Sequence, residues 1–178
     1  ERFAAVVLAA GRGTRMESAL PKVLHPLAGR PMICHLLETI DAMAPERCVV
    51  VIGKGDEAVA EAVAPRQVVV QDPPLGTGDA VRAVLEALEG FTGTVLVLFG
   101  DSPLIRPATL ARLLDARRAE PAPALAVLGF HPPAPGNYAR LIPDRAATLE
   151  ATLQAPPAPQ APRPLALGHS GPLARDGG

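Results

Sequence analysis

A chain of 178 residues, 48% of them hydrophobic and 20% charged, is long and apolar enough to bury a sizeable core, which excludes a disordered polypeptide. The formal charge of −1 gives no global attraction to nucleic acid or to an anionic membrane surface, and 3% aromatics without any Trp exclude a base-stacking platform for single strands. Cys34 and Cys48 form neither a Cys-x-x-Cys pair nor a metal-ligand cluster, so they read as buried free thiols of a reducing, cytoplasmic compartment. No apolar run reaches transmembrane length, and the chain opens at Glu1 without Met, which leaves room for a natural start upstream.

In chain order, Phe3 to Leu8 is a continuous β-branched run that predicts a buried strand rather than a signal-peptide core. It leads into Gly11-Arg12-Gly13-Thr14-Arg15-Met16. Backbone amides approach oxygen atoms closely only where side chains are absent, so Gly11 and Gly13 suit a polyphosphate. Arg12, Arg15 and Lys22 offer the countercharge, Arg as a planar fork and Lys as a point charge. Alone, the two glycines fit a tight turn after a strand equally well. The third glycine of the dinucleotide fingerprint is missing, and the absence of any Gly-x-x-x-x-Gly-Lys-Ser/Thr excludes the kinase-type P-loop.

Pro31 to Met43 predicts a helix with Pro in its first turn, and Asp56 to Val63 a shorter one. Cys48 to Ile52, Val68 to Val70 and Val95 to Phe99 predict further buried strands. Between the last two lies Gln-Asp-Pro-Pro-Leu-Gly-Thr-Gly, residues 71–78, running into a helix over Asp79 to Leu88. The turn at Gly76, Thr77 and Gly78 offers amides, a hydroxyl and a helix N-terminus; by itself it reads as a helix cap with Thr77 or Asp79 in that role. Asp101, directly after a strand and Gly100, is placed to hold a divalent metal, since Mg²⁺ commonly takes one or two carboxylates with substrate phosphates and water. By itself it reads as a turn residue.

Pro107 to Arg118 predicts a helix and Ala124 to Leu128 a further strand. From Pro121 onward prolines crowd the chain, and the run from Ala155 to Pro164 predicts a linker or mobile loop. Strand–helix alternation predicts a parallel α/β sandwich, with ligands beyond the carboxyl ends of the strands near the topological switch point. His25, His35 and His131 match no metal spacing, and His25 is expected to be a structural hydrogen-bonder.

Taken together, Leu-Ala-Ala-Gly-Arg-Gly-Thr-Arg-Met, Leu-Pro-Lys-Val-Leu-His-Pro-Leu-Ala-Gly-Arg-Pro-Met, Leu-Gly-Thr-Gly-Asp-Ala and Phe-Gly-Asp-Ser-Pro-Leu-Ile resemble the sugar-1-phosphate nucleotidyltransferase superfamily. Within it they are most similar to the uridylyltransferase (pyrophosphorylase) domains of the bifunctional bacterial enzymes that make UDP-N-acetylglucosamine. The resemblance covers roughly the first 140 residues. It implies a Rossmann-like three-layer sandwich of nucleotide-diphospho-sugar transferase type, with the nucleotidyltransferase domain over residues 1–154 (its nucleotide-binding half to about 105) and a proline-rich segment with part of the sugar site over 155–178.

It further implies transfer of UMP from UTP to N-acetylglucosamine 1-phosphate with Mg²⁺, no nucleic-acid or membrane partner, and homo-oligomers formed through a C-terminal domain that this sequence does not contain. Leu8, Ala9, Ala10, Gly11 and Gly13 would lie on the nucleotide, Arg15 and Lys22 on the phosphates, and Gln71, Gly76 and Thr77 on the uracil. Asp101 would hold Mg²⁺, and Ala139, Glu150 and His169 would meet the sugar. The sequence departs from the family after Glu150, where Ala-Thr-Leu-Gln replaces His-Lys-Asp-Ala, and at His169-Ser170-Gly171, where the family has Asn-Thr-Gly or Asn-Ser-Gly. A second metal-binding asparagine of the family has no counterpart before Gly178, so weak turnover by this chain alone is expected. A transferase using CTP or GTP, and a diverged nucleotide-binding module without turnover, are the alternative readings.

Overall fold

The computed structural model describes residues 2–11, 18–120, 122–131, 139–143, 149–153, 164–166 and 173–175. The chain divides into two units, Glu1–Pro107 and Ala108–Gly178.

The first unit is built on four parallel strands, β1 (Phe3–Leu8), β4 (Arg47–Gly53), β5 (Gln67–Gln71) and β6 (Thr94–Phe99), in the order β5-β4-β1-β6. The two central strands are the most apolar runs of the chain. Ala4 to Val7 and Val49 to Val51 are wholly buried, as expected of strands covered on both faces. The outer strands are half wet: Val70 and Phe99 each expose 52% of their surface.

Helices α1 (Met32–Ala42) and α2 (Glu57–Val63) carry the chain from β1 to β4 and from β4 to β5, stepping outward in one direction. Helix α3 (Thr77–Ala83) then returns it across the sheet to β6. Right-handed crossovers therefore set α3 on the opposite face from α1 and α2. The side-chain parity agrees: Val6, Val49 and Val51 pack in one cluster with Ala80 and Val84 from the α3 segment. On α1, Ile33, Leu36, Leu37 and Ile40 recur at helical spacing and are fully buried.

Between β1 and α1 a single 3-10 turn (Lys22–Leu24) precedes a small antiparallel ladder of β2 (Pro26–Leu27) with β3 (Arg30–Pro31). Sequence reading misses this ladder, whose strands are too short to show a pattern. Pro31 stands at the N-cap of α1, with extended backbone, instead of inside the first turn. Helix α3 ends five residues before the expected Leu88, the chain continuing as turns to Gly90. The imidazole of His35 lies 2.8 Å from the carbonyl of Leu27. His25 departs from expectation: its backbone pairs with Lys22 and Met32, but its ring Nε2 is buried without a partner.

At the amino ends of the strands, Glu46 N donates to Phe3 O and Thr94 N to Arg2 O. The guanidinium of Arg2 grips the Glu46 carboxylate with two bonds of 2.7 and 2.9 Å. Arg2 and Arg47 both lie 5.9 Å from the centre of the Phe91 ring. Arg47 also donates to the carbonyls of Ala87 and Glu89, each at 3.0 Å.

In the second unit, α4 (Pro107–Arg117) is followed by β7 (Val127–Gly129), β8 (Arg140–Pro143), β9 (Leu149–Leu153), β10 (Pro164–Ala166) and β11 (Leu173–Arg175). Strands β10, β9 and β8 form an antiparallel sheet, and β11 pairs with β7 in parallel. The expected strand at Ala124 to Leu128 lies slightly later, as β7. Of the expected proline-rich linker, Pro164 opens β10 at a sheet edge, where the missing amide hydrogen breaks no interior ladder. The rest of that run lies outside the described residues. Among the described residues, no helix is long and apolar enough to cross a membrane. Cys34 and Cys48 are free and half-buried, and burial pushes the Cys48 thiol pKa up.

Candidate active site

The chain leaves β1 toward β4 on one side and reaches β6 only after α3 has carried it back to the other. The carboxyl ends of β1 and β6 therefore flank the topological switch point, where an open α/β sheet offers a crevice. Register puts Leu8 level with Val51 on one side and with Phe99 on the other. The end of β1 is tied to both neighbours: Ala9 N donates to Val51 O at 2.7 Å and Gly100 N to Leu8 O at 2.9 Å.

A cleft of about 430 Å³ opens here. It is lined by Leu8, Ala9, Ala10 and Gly11 at the end of β1, by Lys22 and Asp101, and by Gln71, Gly76 and Thr77. These nine residues were all singled out from the sequence, and the fold gathers them although they come from four separate segments. Gly13 and Arg15, also expected here, lie outside the described residues, as does His169. Ala139 is exposed just before β8, and Glu150 lies in β9, with only its backbone described.

Sequence reasoning missed Val23, Pro74, Ala80 and Phe99, which complete the lining. Ala80 and Val23 look like ordinary core positions, and Phe99 like the last residue of a buried strand. The one available signal was proximity in sequence, since each lies within or beside a segment already singled out.

The Lys22 ammonium donates to Asp101 Oδ2 at 2.6 Å, with both side chains partly exposed. A pair of this exposure is worth at most about 1 kcal/mol to stability, so its geometry matters more than its energy. Gly100 explains how the loop comes so close: a Cβ there would lie 3.1 Å from Val23 Cγ1 and 3.2 Å from Leu8 O. Gly76 has φ +116°, a conformation that L side chains rarely adopt, and it occupies the N-cap of α3 with no side-chain cap bond. The expected capping by Thr77 or Asp79 is therefore not made. Asp79 Oδ2 instead accepts from Gln71 Nε2 at 2.9 Å, and the same nitrogen donates to Gly76 O at 3.1 Å.

Among the described residues no three His, Cys, Asp or Glu side chains gather into a metal cage. Among the described residues that line the cleft, Asp101 is the one carboxylate. That donor fits Mg²⁺, which is held by few protein oxygens and completed by substrate phosphates and water.

A doubly wound sheet with Gly11, Lys22 and Asp101 at its switch point has the architecture of a nucleotide-binding α/β domain. Residues 5–162 match the MobA-like NTP transferase domain, and the chain belongs to that family. Over 176 residues it is 56% identical to the bifunctional protein GlmU of Rhodospirillum rubrum, covering 99% of this chain and 39% of that protein. The chain thus spans well under half the length of such relatives. A solved structure of Rv0371c from Mycobacterium tuberculosis in complex with manganese is 26% identical, with a TM-score of 0.58 over 73% of this chain and 65% of that one. The fold is shared as well with a CMP:2-keto-3-deoxy-manno-octonic acid synthetase complexed with CTP, at 23% identity and a TM-score of 0.69 over 96% of this chain and 73% of that one.

Proposed function

We propose that this domain transfers UMP from UTP to N-acetylglucosamine 1-phosphate, giving UDP-N-acetylglucosamine and pyrophosphate. The observation that carries the reading is the convergence of Gly11, Lys22, Gln71, Thr77 and Asp101 on one cleft at the switch point. The choice of UTP and an amino-sugar phosphate rests on the 56% identity to a protein named GlmU and on the matching Leu-Gly-Thr-Gly turn.

In this reaction an oxygen of the sugar phosphate attacks the α-phosphorus in line. A new P–O bond forms as the bond from the α-phosphorus to the bridging oxygen breaks, and pyrophosphate leaves with that electron pair. No side-chain nucleophile is required, so positioning and charge stabilisation carry the rate. Lys22 neutralises charge building on the phosphates, and Arg15 joins it from the glycine loop. Bare amides at Gly11 and Gly13 let the phosphate chain approach the end of β1. Asp101 is the carboxylate that would hold Mg²⁺, which when bound shields the crowded phosphate oxygens from one another. Gln71, Gly76 and Thr77 face the base.

On the same reading residues 1–154 form the nucleotidyltransferase domain, and Ala139, Glu150 and His169 approach the sugar. The protein works in the cytoplasm, in homo-oligomers held by a further domain.

The test is pyrophosphate release from UTP, CTP and GTP, each with N-acetylglucosamine 1-phosphate and Mg²⁺, beside calorimetric titration of each nucleotide. UTP should bind and turn over best. Equal or better use of CTP or GTP would assign the domain to another specificity, and binding of UTP without any pyrophosphate release would make it a binding module.

A further inference from the structure

Gln71 closes β5 and is 5% exposed, yet it lines the cleft. Its side-chain nitrogen Nε2 has two partners, Gly76 O at 3.1 Å and Asp79 Oδ2 at 2.9 Å. A peptide carbonyl and an ionised carboxylate are both acceptors only. This settles the orientation of the amide, because a flipped Gln71 would press its own oxygen against two others. Both amide hydrogens are thereby engaged, and the carbonyl oxygen Oε1 is what the side chain retains for a ligand. Gly76 O is itself fixed, since it also accepts from Ala80 N at 3.0 Å at the start of α3.

From this arrangement we infer that Asp79 is a positioning residue for base selection: it holds Gln71 with its acceptor oxygen, not its amide hydrogens, toward the nucleobase. Uracil carries a hydrogen on N3, whereas cytosine carries a lone pair there. An acceptor held at that point welcomes the first and repels the second, while an amide free to turn over accommodates both. Asp79 touches no substrate and acts only through Gln71. The carboxylate suits the task better than a hydroxyl or an amide would, because it has no donor state with which to stabilise the flipped form. This inference deepens the uridylyl reading above and rests on it.

The experiment compares the wild-type chain with Asp79→Ala and Asp79→Asn, titrating UTP and CTP calorimetrically with Mg²⁺ and recording thermal melting of each variant. Asp79→Ala should lower the UTP-over-CTP affinity ratio about fivefold to tenfold, the scale of one hydrogen bond. Affinity for CTP should hold or improve. Asp79→Asn, which keeps an acceptor oxygen, should restore part of the ratio. An unchanged ratio in Asp79→Ala, or equal loss of UTP and CTP binding, overturns the inference by leaving Asp79 a purely structural residue; in the second case melting shows whether the helix start has been damaged. A wild-type chain that binds CTP as well as UTP overturns the uridylyl reading itself, and the positioning role with it.

Discussion

At the amino end of the four-stranded sheet, Arg2, Glu46, Arg47 and Phe91 satisfy one another; at the carboxyl end, Lys22, Asp101 and Gln71 stand around an open cleft. The same strands support both sets. What differs is what each polar group is paired with. Arg2 and Glu46 meet in a two-pronged bond that closes the junction between neighbouring strands. Lys22 and Asp101 meet through a single short contact on a lip where a Cβ at Gly100 would not fit easily. The first arrangement fastens the fold, and the second leaves charges that a ligand can redistribute.

The largest expected effect belongs to the carboxyl end. Asp101→Asn should reduce pyrophosphate release by about 10²-fold or more while leaving the fold intact, because it removes the ionic oxygen on which metal and phosphates would converge. Melting temperature and turnover should be measured on the same preparation. Unchanged turnover at limiting Mg²⁺ would erase the contrast between the two ends.

A substitution near the other end should behave in the reverse way. Ile40 is fully buried late in α1, shortly before the chain enters the amino end of β4. Ile40→Ala should cost about 2–5 kcal/mol in urea unfolding through lost burial and a residual cavity. UTP affinity of the folded protein should stay within about twofold, an effect of under about half a kcal/mol. A large loss of affinity would show that the two ends are more strongly coupled than their separate bonding suggests.

The smallest effect concerns Glu46. The hydrogen bond from Arg2 holds its carboxyl below the usual glutamate range. A depressed carboxylate favours the folded state above its unfolded pKa of about 4.3, and that contribution fades as pH falls through the lower folded value. Glu46→Gln should therefore flatten the acid limb of a stability-against-pH curve below about pH 4.3, with little change at high salt, where the exposed pair is screened. Nucleotide binding at neutral pH should not move. Identical acid limbs for the two proteins would remove Arg2 and Glu46 from the fastening role.

Much of this contrast was legible in the amino-acid sequence, for a local reason. Leu8 to Gly11, Gln71 to Thr77 and Gly100 to Asp101 each follow a continuous apolar strand, so the residues that break the run fall at the strand end by covalent necessity. A parallel sheet brings those ends to one edge. The order β5-β4-β1-β6 was not written in any one segment, nor was the contact from Asp79 back to Gln71, which crosses a turn and competes with an equally reasonable capping role. Ala80 and Phe99 were missed because membership of a cleft wall is a tertiary property; their neighbours in sequence are apolar either way. Strands β8 to β11 went unread because they are short, and two of them carry proline.

Ala80 belongs at once to the cluster around Val6, Val49 and Val51 and to the lining of the cleft. The boundary between the solid interior and the cleft is there a single methyl group. The depth of the cleft is thus set by how closely α3 lies on the sheet, and substitutions at Val84, which packs in that cluster and does not line the cleft, can retune it from behind. On the proposed reading, acceptance of bulkier bases has a second lever, remote from the polar groups: thin the layer beneath the cleft and leave Gln71, Gly76 and Thr77 as they are.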